Sequence, residues 1–287
     1  MPHAAPKAYR SVLYVPASNQ RALTKIASLA CDAVILDLED AVAPGEKLAA
    51  RENLKSWFDQ RPDTKAELVI RVNPMSSDWG TDDLALAGSL EPHGILIPKA
   101  DTPRAILEIG DALDDEAVPD DVKLWAMIET PRAMLNIGAI AELGRDPASR
   151  LAGLVAGTND LAKETGVGAR PYLLPWLMQI VLAARAGGLI ALDGVINDFN
   201  DHEAFERECS EAAAMGFDGK TLIHPSQVEP ANRAFSPSVA AVAEARQIVD
   251  AFGRPENADK GVLAIDGRMV ERLHLVQAER LIARSKS

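Results

Sequence analysis

Cysteine, positive charge and long apolar runs are all scarce in this chain of 287 residues. The two cysteines, Cys31 and Cys209, are too few and too isolated for a disulfide framework, and neither has the Cys or His spacing of a zinc site. No apolar run approaches the roughly 20 residues of a membrane span. Residues 1–10 also lack an apolar segment of signal-peptide length. We therefore expect a cytoplasmic protein with no membrane partner.

The charge balance is strongly acidic, with 30 Lys and Arg against 42 Asp and Glu and a formal net charge of -12. No Lys or Arg cluster interrupts this average, which argues against nucleic acid as a partner. A local basic pocket for a small anion is compatible with it. The chain also lacks the GxGxxG pattern, the P-loop and the serine nucleophile elbow. The sequence therefore gives no support to nucleotide or serine-hydrolase chemistry.

Apolar side chains are abundant, at 47% of residues, and 25% are charged, which are ordinary values for a globular protein with a large core. Short runs rich in Val, Ile and Leu alternate with helix-like segments. Such runs are typical of strands buried on both faces of a parallel sheet. They predict strands at residues 11–17, 33–39, 68–73, 94–99, 124–129, 151–157, 190–195 and 220–225.

The segments between these strands carry helix signals. Phe205, Cys209 and Ala212 form an apolar stripe at helical spacing. Prolines 103 and 131 lie where helices should begin, and Gly216 lies where one should end. Alternating strands and helices predict either a barrel or a doubly wound open sheet.

The strand count favours the barrel, and so do the polar residues at the carboxyl ends of the strands, where barrel enzymes assemble their active sites. These are Asp37, Glu39, Arg71, Asn73, Lys99, Glu129, Asp193 and His224. We predict an α/β fold, a (β/α)8 TIM barrel with a C-terminal helical extension. The catalytic barrel is expected at residues 8–235 and the extension, as a cap, a lid or a segment exchanged between subunits, at residues 236–287.

Two carboxylates follow neighbouring strands. Glu129 ends the fifth strand in MIETPR, and Asp160 follows the sixth in GTNDLA, so in a barrel both point into one mouth. Two carboxylates with waters and a chelating substrate suit Mg²⁺, which prefers octahedral oxygen ligands. The alternatives are a salt bridge for Glu129 and a helix N-cap for Asp160. We expect the pair to bind the cation.

Arg71 stands within the third strand, where a charge needs a partner. Its planar guanidinium suits a substrate carboxylate or an enolate oxygen, and the alternative is a buried pair with Glu39 or Asp40. The two interpretations are compatible. The segment DLEDAVAPGEK presents Asp37, Glu39 and Asp40. One of these can reach the water shell of the metal, and another can fix Arg71.

Other candidates carry weaker signals. The backbone amides of GTNDL, at Gly157 and Thr158, can form a small nest for a carboxylate, and the alternative is a tight turn. Lys47 and Arg51 are one helical turn apart, which favours a solvated helix face. His224 is a candidate acid or base, but a strand-end His before Pro more often has a structural or ligand-framing role.

A series of segments runs in order from Arg10 to Asn232: RSVLYVPASN, AVILDLEDAVAPGEKLAARENL, LVIRVNP, LIPKA, MIETPRA, VAGTNDLA, ALDGVINDFND and GFDGKTLIHPSQVEPAN. Together they resemble the citrate lyase β-subunit-like enzymes of the HpcH/HpaI aldolase superfamily. Members of that family are similar in fold to pyruvate-dependent barrel aldolases.

The resemblance implies that Glu129 and Asp160 bind Mg²⁺, or alternatively Mn²⁺, and that Arg71 and Glu39 act in catalysis. It also implies that Arg71 contacts the substrate and that the backbone at Gly157 and Thr158 holds a 2-oxo-acid carboxylate. Family substrates are acyl-CoA thioesters such as citryl-, malyl- or citramalyl-CoA, which are cleaved to an acyl-CoA and a 2-oxo acid. CoA thus enters as substrate rather than as a resident cofactor.

The C-terminal extension resembles that of longer CoA-lyase relatives, whose lid carries an acid near a GxMxD motif. Here the segment is DGRMVERLHL, which places Glu271 where those relatives commonly have Asp. A carboxylate one methylene longer can still act as acid or base with a different reach. Misplacement on that scale can cost about 100-fold in rate. The resemblance therefore stops short of assigning condensation or thioester hydrolysis.

Two other functions compete with the lyase. A pyruvate or 2-oxo-acid aldolase that works without CoA has a related fold and metal site, but such relatives usually carry a His after the second strand, where this chain has DLEDA. A catalytically silent barrel used for binding or assembly is the other. Family resemblance also predicts a homo-oligomer, a trimer or a hexamer.

Overall fold

The apolar runs form eight parallel strands in the computed structural model, which describes residues 8–60 and 63–285. The strands close into a barrel in chain order, so the doubly wound alternative is excluded and the predicted (β/α)8 fold is confirmed. They are β1 (Ser11–Pro16), β2 (Ala33–Asp37), β3 (Glu67–Arg71), β4 (Gly94–Ile97), β5 (Lys123–Ile128), β6 (Leu151–Ala156), β7 (Ile190–Asp193) and β8 (Gly219–Leu222).

Closure depends on the pairing of the first strand with the last. Val12 of β1 lies opposite Ala33 of β2 on one side and Thr221 of β8 on the other. Inside the barrel the alternating side chains form one apolar layer, which includes Val12, Ile35, Val69, Leu96, Trp125, Met127, Val155 and Leu192. This layer fills the barrel below its carboxyl end, where the polar residues begin.

Several strands end earlier than predicted, because their last polar residues turn out of the sheet. The Asp37 carboxylate accepts hydrogen bonds from the backbone N–H groups of Glu39 and Ala41, which bends the chain after β2. Lys99 adopts a left-handed backbone conformation with φ of 49°, which L-residues seldom adopt and which a strand does not allow. The predicted strand ends at Glu39 and Lys99 are therefore loop positions just beyond the strands.

Helices follow the strands. They are α1 (Gln20–Lys25), α2 (Lys47–Asp59), α3 (Gly80–Leu90), α4 (Pro103–Asp115), α5 (Pro131–Glu142), α6 (Thr158–Thr165), α7 (Leu174–Gly187), α8 (His202–Met215), α9 (Val228–Phe235), α10 (Val239–Phe252) and α11 (Arg272–Arg284). The start of α4 and the start of α5 each combine proline at the first position with a threonine cap, and Gly216 ends α8 in the left-handed region. The stripe of Phe205, Cys209 and Ala212 is buried.

The described residues fall into two units, one at Tyr9–Ala234 and one that begins at Phe235 and also includes Ala8. In the second unit, α10 and α11 accompany an antiparallel hairpin of β9 (Val262–Ile265) and β10 (Arg268–Glu271). Phe252, Leu263 and Val270 form its small core. None of the helices in the described residues has both the length and the hydropathy to cross a membrane.

Candidate functional site

A cavity of about 280 Å³ opens at the carboxyl ends of the barrel strands. Its polar lining comes from strand ends and the loops that follow them, and it includes Tyr14, Asp37, Asp40, Arg71, Glu129, Thr158, Asn159, Asp160, Asn197 and Thr221. The structure thus brings together Arg71, Glu129, Gly157, Thr158 and Asp160, five of the residues that the sequence singled out.

Glu129 and Asp160 reach the cavity from neighbouring strands. Glu129 follows β5 and is buried, whereas Asp160 lies in the first turn of α6 with its side chain 24% exposed. Oε1 of Glu129 accepts the backbone N–H of Lys99 at 2.8 Å. Gly157 follows β6 and lies against this side chain: a Cβ atom there would lie 2.3 Å from Cβ of Glu129. Close packing therefore fixes where the Glu129 carboxylate sits.

Lys99 places its ammonium group between two other carboxylates. The Nζ atom lies 3.4 Å from Oε1 of Glu39 and 3.3 Å from Oδ2 of Asp160. The same residue therefore contacts Glu129 through its backbone and Glu39 and Asp160 through its side chain. The sequence identified Lys99 as a strand-end charge but gave it no role, because the left-handed backbone that directs its N–H to Glu129 leaves no mark in the residue pattern.

Arg71 is buried and held in place by Asp37. Its Nε and Nη2 atoms donate to the two oxygens of that carboxylate at 2.7 and 2.6 Å. Nη1 lies 3.0 Å from Oε2 of Glu39 and 3.6 Å from Oδ2 of Asp40, as ion pairs. The principal partner is therefore Asp37, and the pairs expected with Glu39 or Asp40 are secondary. A bidentate pair fixes the plane of the guanidinium beside the cavity.

The carboxyl groups beside the cavity supply oxygen atoms, and burial shifts the pKa values of two of them. Burial raises the pKa of Glu129 to about 7, and the nearby Glu39 adds to the rise. Burial likewise raises the pKa of Glu39. A cation beside Glu129 would favour its ionised form. Within the described ranges, no three His, Cys, Asp or Glu side chains form a closed metal cage. Glu129 and Asp160 fit a Mg²⁺ site that leaves other positions to water and substrate.

The loop GTNDL supplies hydrogen-bond donors that can bind an anion. Gly157 precedes α6, and Thr158 is the first residue of that helix. The first N–H groups of a helix have no acceptor within the helix and favour an anion. The Thr158 hydroxyl is buried and has no hydrogen-bond partner among residues 8–60 and 63–285. This turn is suited to a substrate carboxylate.

The solvated face predicted for Lys47 and Arg51 is wrong. Lys47 is buried at the start of α2, and its ammonium donates to the carbonyls of Leu38 and Glu39 and to Oδ1 of Asn73, each at 2.8 Å. Arg51 has a largely buried side chain and pairs with Asp83 at 2.6 Å. Helical spacing did not reveal these contacts, because their partners lie in the segments after β2 and β3 and in α3, which only the folded barrel brings beside α2.

Asp193, another strand-end charge, does not line the cavity. It is buried in an ion cluster with Lys220 at 2.7 Å and Arg170 at 2.9 Å. Burial alone would raise the pKa of Asp193, but the two cations outweigh it and lower the pKa. Lys220 also donates to the carbonyl of Gly194, and Gly194 packs against the Thr158 side chain. The cluster therefore supports one wall of the site.

Two other sequence candidates have structural contacts. His224 stacks on Phe199 with ring centroids 4.7 Å apart, and its Nδ1 lies 2.7 Å from the Ser226 hydroxyl. It does not line the cavity, which favours the framing role. Glu271 belongs to the second unit, where it ends β10 and caps the first turn of α11. Its catalytic role stays a prediction.

Comparison with known proteins gives concordant matches. A sequence profile described as HpcH/HpaI aldolase/citrate lyase matches residues 10–225. A (3S)-malyl-CoA thioesterase of Cereibacter sphaeroides is 45% identical over 97% of this chain and 95% of its own length. The mitochondrial citramalyl-CoA lyase of Homo sapiens is 31% identical over 97% and 86%.

The fold has solved counterparts as well. CitE of Mycobacterium tuberculosis, in complex with magnesium, acetoacetate and coenzyme A, has a TM-score of 0.79 and 30% identity over 98% of this chain and 99% of that structure. These matches confirm the resemblance that the sequence segments indicated. The chain belongs to the HpcH/HpaI aldolase/citrate lyase family.

Proposed function

We propose that this protein is a Mg²⁺-dependent lyase that cleaves a carbon–carbon bond of a 3-hydroxyacyl-CoA, of the malyl-, citramalyl- or citryl-CoA type, to an acyl-CoA and a 2-oxo acid. The observation that carries the proposal is that Glu129, Asp160 and Arg71 line the same cavity. The relatives named for malyl-CoA and citramalyl-CoA, and a CitE structure that holds magnesium and coenzyme A, support the same class of substrate.

Glu129 and Asp160 would hold the cation. When bound, Mg²⁺, or Mn²⁺ in its place, supplies positive charge that stabilises negative charge developing on substrate oxygens. Thr158 would bind the 2-oxo-acid carboxylate at the start of α6, through its backbone N–H and its buried hydroxyl. Gly157 would lie beside that carboxylate without donating to it, because its N–H already donates to the Ile128 carbonyl. The substrate would thus lie with its hydroxy-acid part towards β5 and β6.

Cleavage breaks the bond between the hydroxyl-bearing carbon and the α-carbon of the thioester. The hydroxyl gives up its proton to solvent and its oxygen becomes the carbonyl oxygen of the 2-oxo acid. The electron pair of the broken bond moves into the thioester as an enolate, which takes up a proton to give the acyl-CoA. Arg71 faces the cavity as a permanent cation and stabilises the enolate oxygen of the thioester. Because Asp37 already fixes the guanidinium, the positive charge needs no reorganisation as the enolate forms. Glu39 holds the remaining side of Arg71 and the ammonium of Lys99.

Glu271 is proposed to exchange a proton with the enolate carbon, as its counterpart does in the resembling lids. We accordingly propose that residues 8–235 bind and cleave the substrate and that residues 236–287 form the lid. Part of the same proposal is a cytoplasmic homo-oligomer, a trimer or a hexamer. Light scattering during gel filtration would measure the assembly.

Thioester hydrolysis is a second candidate, favoured by one observation: relatives 45% identical over nearly the whole chain are named (3S)-malyl-CoA thioesterase. Hydrolysis would yield free CoA and a hydroxy acid instead of an acyl-CoA and a 2-oxo acid. An aldolase without CoA has less support, since the lining of the cavity includes no histidine among the described residues.

Product analysis separates these functions. Malyl-, citramalyl- and citryl-CoA are each incubated with the protein and Mg²⁺, and 2-oxo acid and free thiol are measured in parallel. The lyase releases 2-oxo acid without thiol, and the thioesterase releases thiol without 2-oxo acid. If neither product appears from any thioester, both functions fail, and so does the proposal.

A further inference from the structure

Tyr14 has a hydroxyl group that the barrel buries without a partner. The residue lies on β1, and its ring packs against the apolar layer inside the barrel. The oxygen is buried and forms no hydrogen bond among residues 8–60 and 63–285. Tyr14 also lines the cavity at the carboxyl ends of the strands. A phenylalanine would fill the same layer, so packing alone does not account for the hydroxyl.

An unpartnered buried hydroxyl is costly, because it gives up its hydrogen bonds to water and gains none. Most buried polar groups in folded proteins do have partners, so an exception needs an explanation. None of the described residues provides a partner for the Tyr14 hydroxyl, and Tyr14 is one of the residues that line the cavity. A molecule bound in that cavity is therefore the natural acceptor.

The electrostatic surroundings keep this hydroxyl a donor. Burial raises the pKa of Tyr14, Arg71 opposes the rise, and the carboxylates of Asp37, Glu129 and Glu39 add to it. The group thus holds its proton at neutral pH. The guanidinium carbon of Arg71 lies 4.8 Å from the Tyr14 ring centroid. A neutral donor and a permanent cation therefore stand side by side in one part of the site.

We propose that Tyr14 Oη donates a hydrogen bond to a substrate oxygen that gains negative charge during cleavage, beside Arg71. This inference rests on the proposed function, which it deepens. The acceptor is a carbonyl-type oxygen, from either the thioester or the 2-oxo acid. A donor placed in advance where charge develops stabilises the transition state more than the bound substrate, and it therefore raises kcat.

The test compares Tyr14→Phe with Tyr9→Phe. Tyr9 lies just before β1, at the opposite end of the barrel, and does not line the cavity. Its hydroxyl has a protein partner, since it donates to Oε2 of Glu67 at 2.5 Å. Each substitution removes one hydroxyl and keeps the ring, so the two variants separate a substrate contact from a structural hydrogen bond.

We expect Tyr14→Phe to lower kcat for thioester cleavage at least 10-fold, on the order of 100-fold, with KM little changed. Its thermal unfolding midpoint should equal or exceed that of the wild type, because no protein hydrogen bond is lost. Tyr9→Phe should keep kcat and lower the midpoint by about 2 to 4 °C. Equal kcat for Tyr14→Phe and the wild type would overturn the inference, as would a lowered midpoint that accompanies its lower kcat.

Calorimetric binding of glyoxylate or pyruvate with Mg²⁺ identifies the acceptor. Weaker binding by Tyr14→Phe assigns the bond to the 2-oxo acid, whereas unchanged binding with a lower kcat assigns it to the thioester oxygen. If the wild type cleaves no thioester, the proposed function fails, and the binding experiment decides the role of Tyr14 alone. In that case weaker binding by the variant supports the role, and equal or absent binding overturns it.

Discussion

Gly157 packs directly against Glu129, and it thereby links the end of a barrel strand to the carboxylate site. Its N–H donates to the carbonyl of Ile128, so the end of β6 lies directly against the end of β5. The space that a side chain would need at this position is filled by Glu129. Glycine is therefore required by close approach rather than by an unusual backbone angle.

We predict that Gly157→Ala displaces the Glu129 carboxylate, because the new methyl would lie 2.3 Å from Cβ and 2.8 Å from Oε2 of that residue. Overpacking of this kind costs about 1 to 3 kcal/mol of unfolding free energy. The affinity for Mg²⁺, measured by calorimetric titration, should fall by at least about 10-fold.

Gly138→Ala is the matched control. Gly138 lies within α5 and has no neighbouring atom within 4 Å of an added Cβ. This change should leave Mg²⁺ affinity unchanged and raise the unfolding free energy by about 0.5 to 1 kcal/mol. Wild-type Mg²⁺ affinity in Gly157→Ala would show that the contact with Glu129 does not position the ligand.

The sequence predicts those site residues that lie at or just after the carboxyl end of a strand. Glu129, Asp160 and Arg71 follow or end buried runs, and they do line one cavity. Tyr14 and Lys47 are different. In the sequence, Tyr14 looks like another apolar strand residue and Lys47 looks like a residue on a helix surface. The unpartnered hydroxyl of Tyr14 and the buried ammonium of Lys47 depend on neighbours that only the closed barrel brings together.

Among the elements, β7 and β8 are joined by charge as well as by backbone. Lys220 of β8 is fully buried and pairs with Asp193 of β7, and Arg170 reaches the same carboxylate from the segment before α7. Both cations share this buried acid, and Arg170 also pairs with Glu211 at 3.0 Å. Removing the Asp193 charge would leave the buried Lys220 ammonium with the Gly194 carbonyl and with Glu208 at 3.3 Å.

We predict that Asp193→Asn lowers the unfolding free energy by about 3 to 5 kcal/mol at neutral pH, since the buried Lys220 ammonium and the Arg170 guanidinium lose the carboxylate that they share. The folded-state pKa of Asp193 is lowered, so its contribution is complete above the ordinary value of 3.8 and is lost as pH falls through the lowered one. Urea unfolding of both proteins between about pH 7 and about pH 3 should show the difference shrinking towards acid.

Glu229→Gln provides the comparison, because the Glu229–Arg233 pair is exposed on α9 and should contribute little at any pH. If the stability difference between Asp193→Asn and the wild type stayed constant with pH, or were as small as that of Glu229→Gln, the buried cluster would not have the role described for it.

The hairpin of the second unit is an element that the sequence analysis missed. Its turn, Asp266 and Gly267, has positive φ at both positions, as a two-residue hairpin turn requires. The Asp–Gly pair was a usable signal. The flanking strands are only four residues long and partly exposed, so hydrophobic periodicity does not reveal them.

We predict that Glu271→Asp increases condensation or thioester hydrolysis, because the shorter carboxylate restores the reach found in the resembling lids. Stability should be kept, since Asp is as good a helix cap as any residue at the position that Glu271 occupies. Free thiol and acyl-CoA condensation are measured beside the wild type. Unchanged rates with a stable protein would count against an acid–base role for Glu271.

For the whole molecule, the apolar runs predicted all eight strands and their order, and the structure closes them into the predicted barrel. The pairing of β1 with β8 could not be derived from periodicity, because it joins the two ends of the barrel sequence. The prediction of a closed barrel came from the number of strands and from the polar residues at their carboxyl ends. The residue pattern does not predict which polar residues at the strand ends pair with one another. For example, it does not predict that Asp37, rather than Glu39, is the principal partner of Arg71.

The most direct test of the central claim is Mg²⁺-dependent release of 2-oxo acid by the Glu129→Gln variant. Glutamine keeps the size of the side chain and an oxygen for the Lys99 N–H, but it removes the negative charge that a cation needs. We predict a folded protein, by circular dichroism, with less than about 1% of wild-type turnover at any Mg²⁺ concentration. Turnover within a few-fold of the wild type would contradict the assignment of Glu129 as a metal ligand.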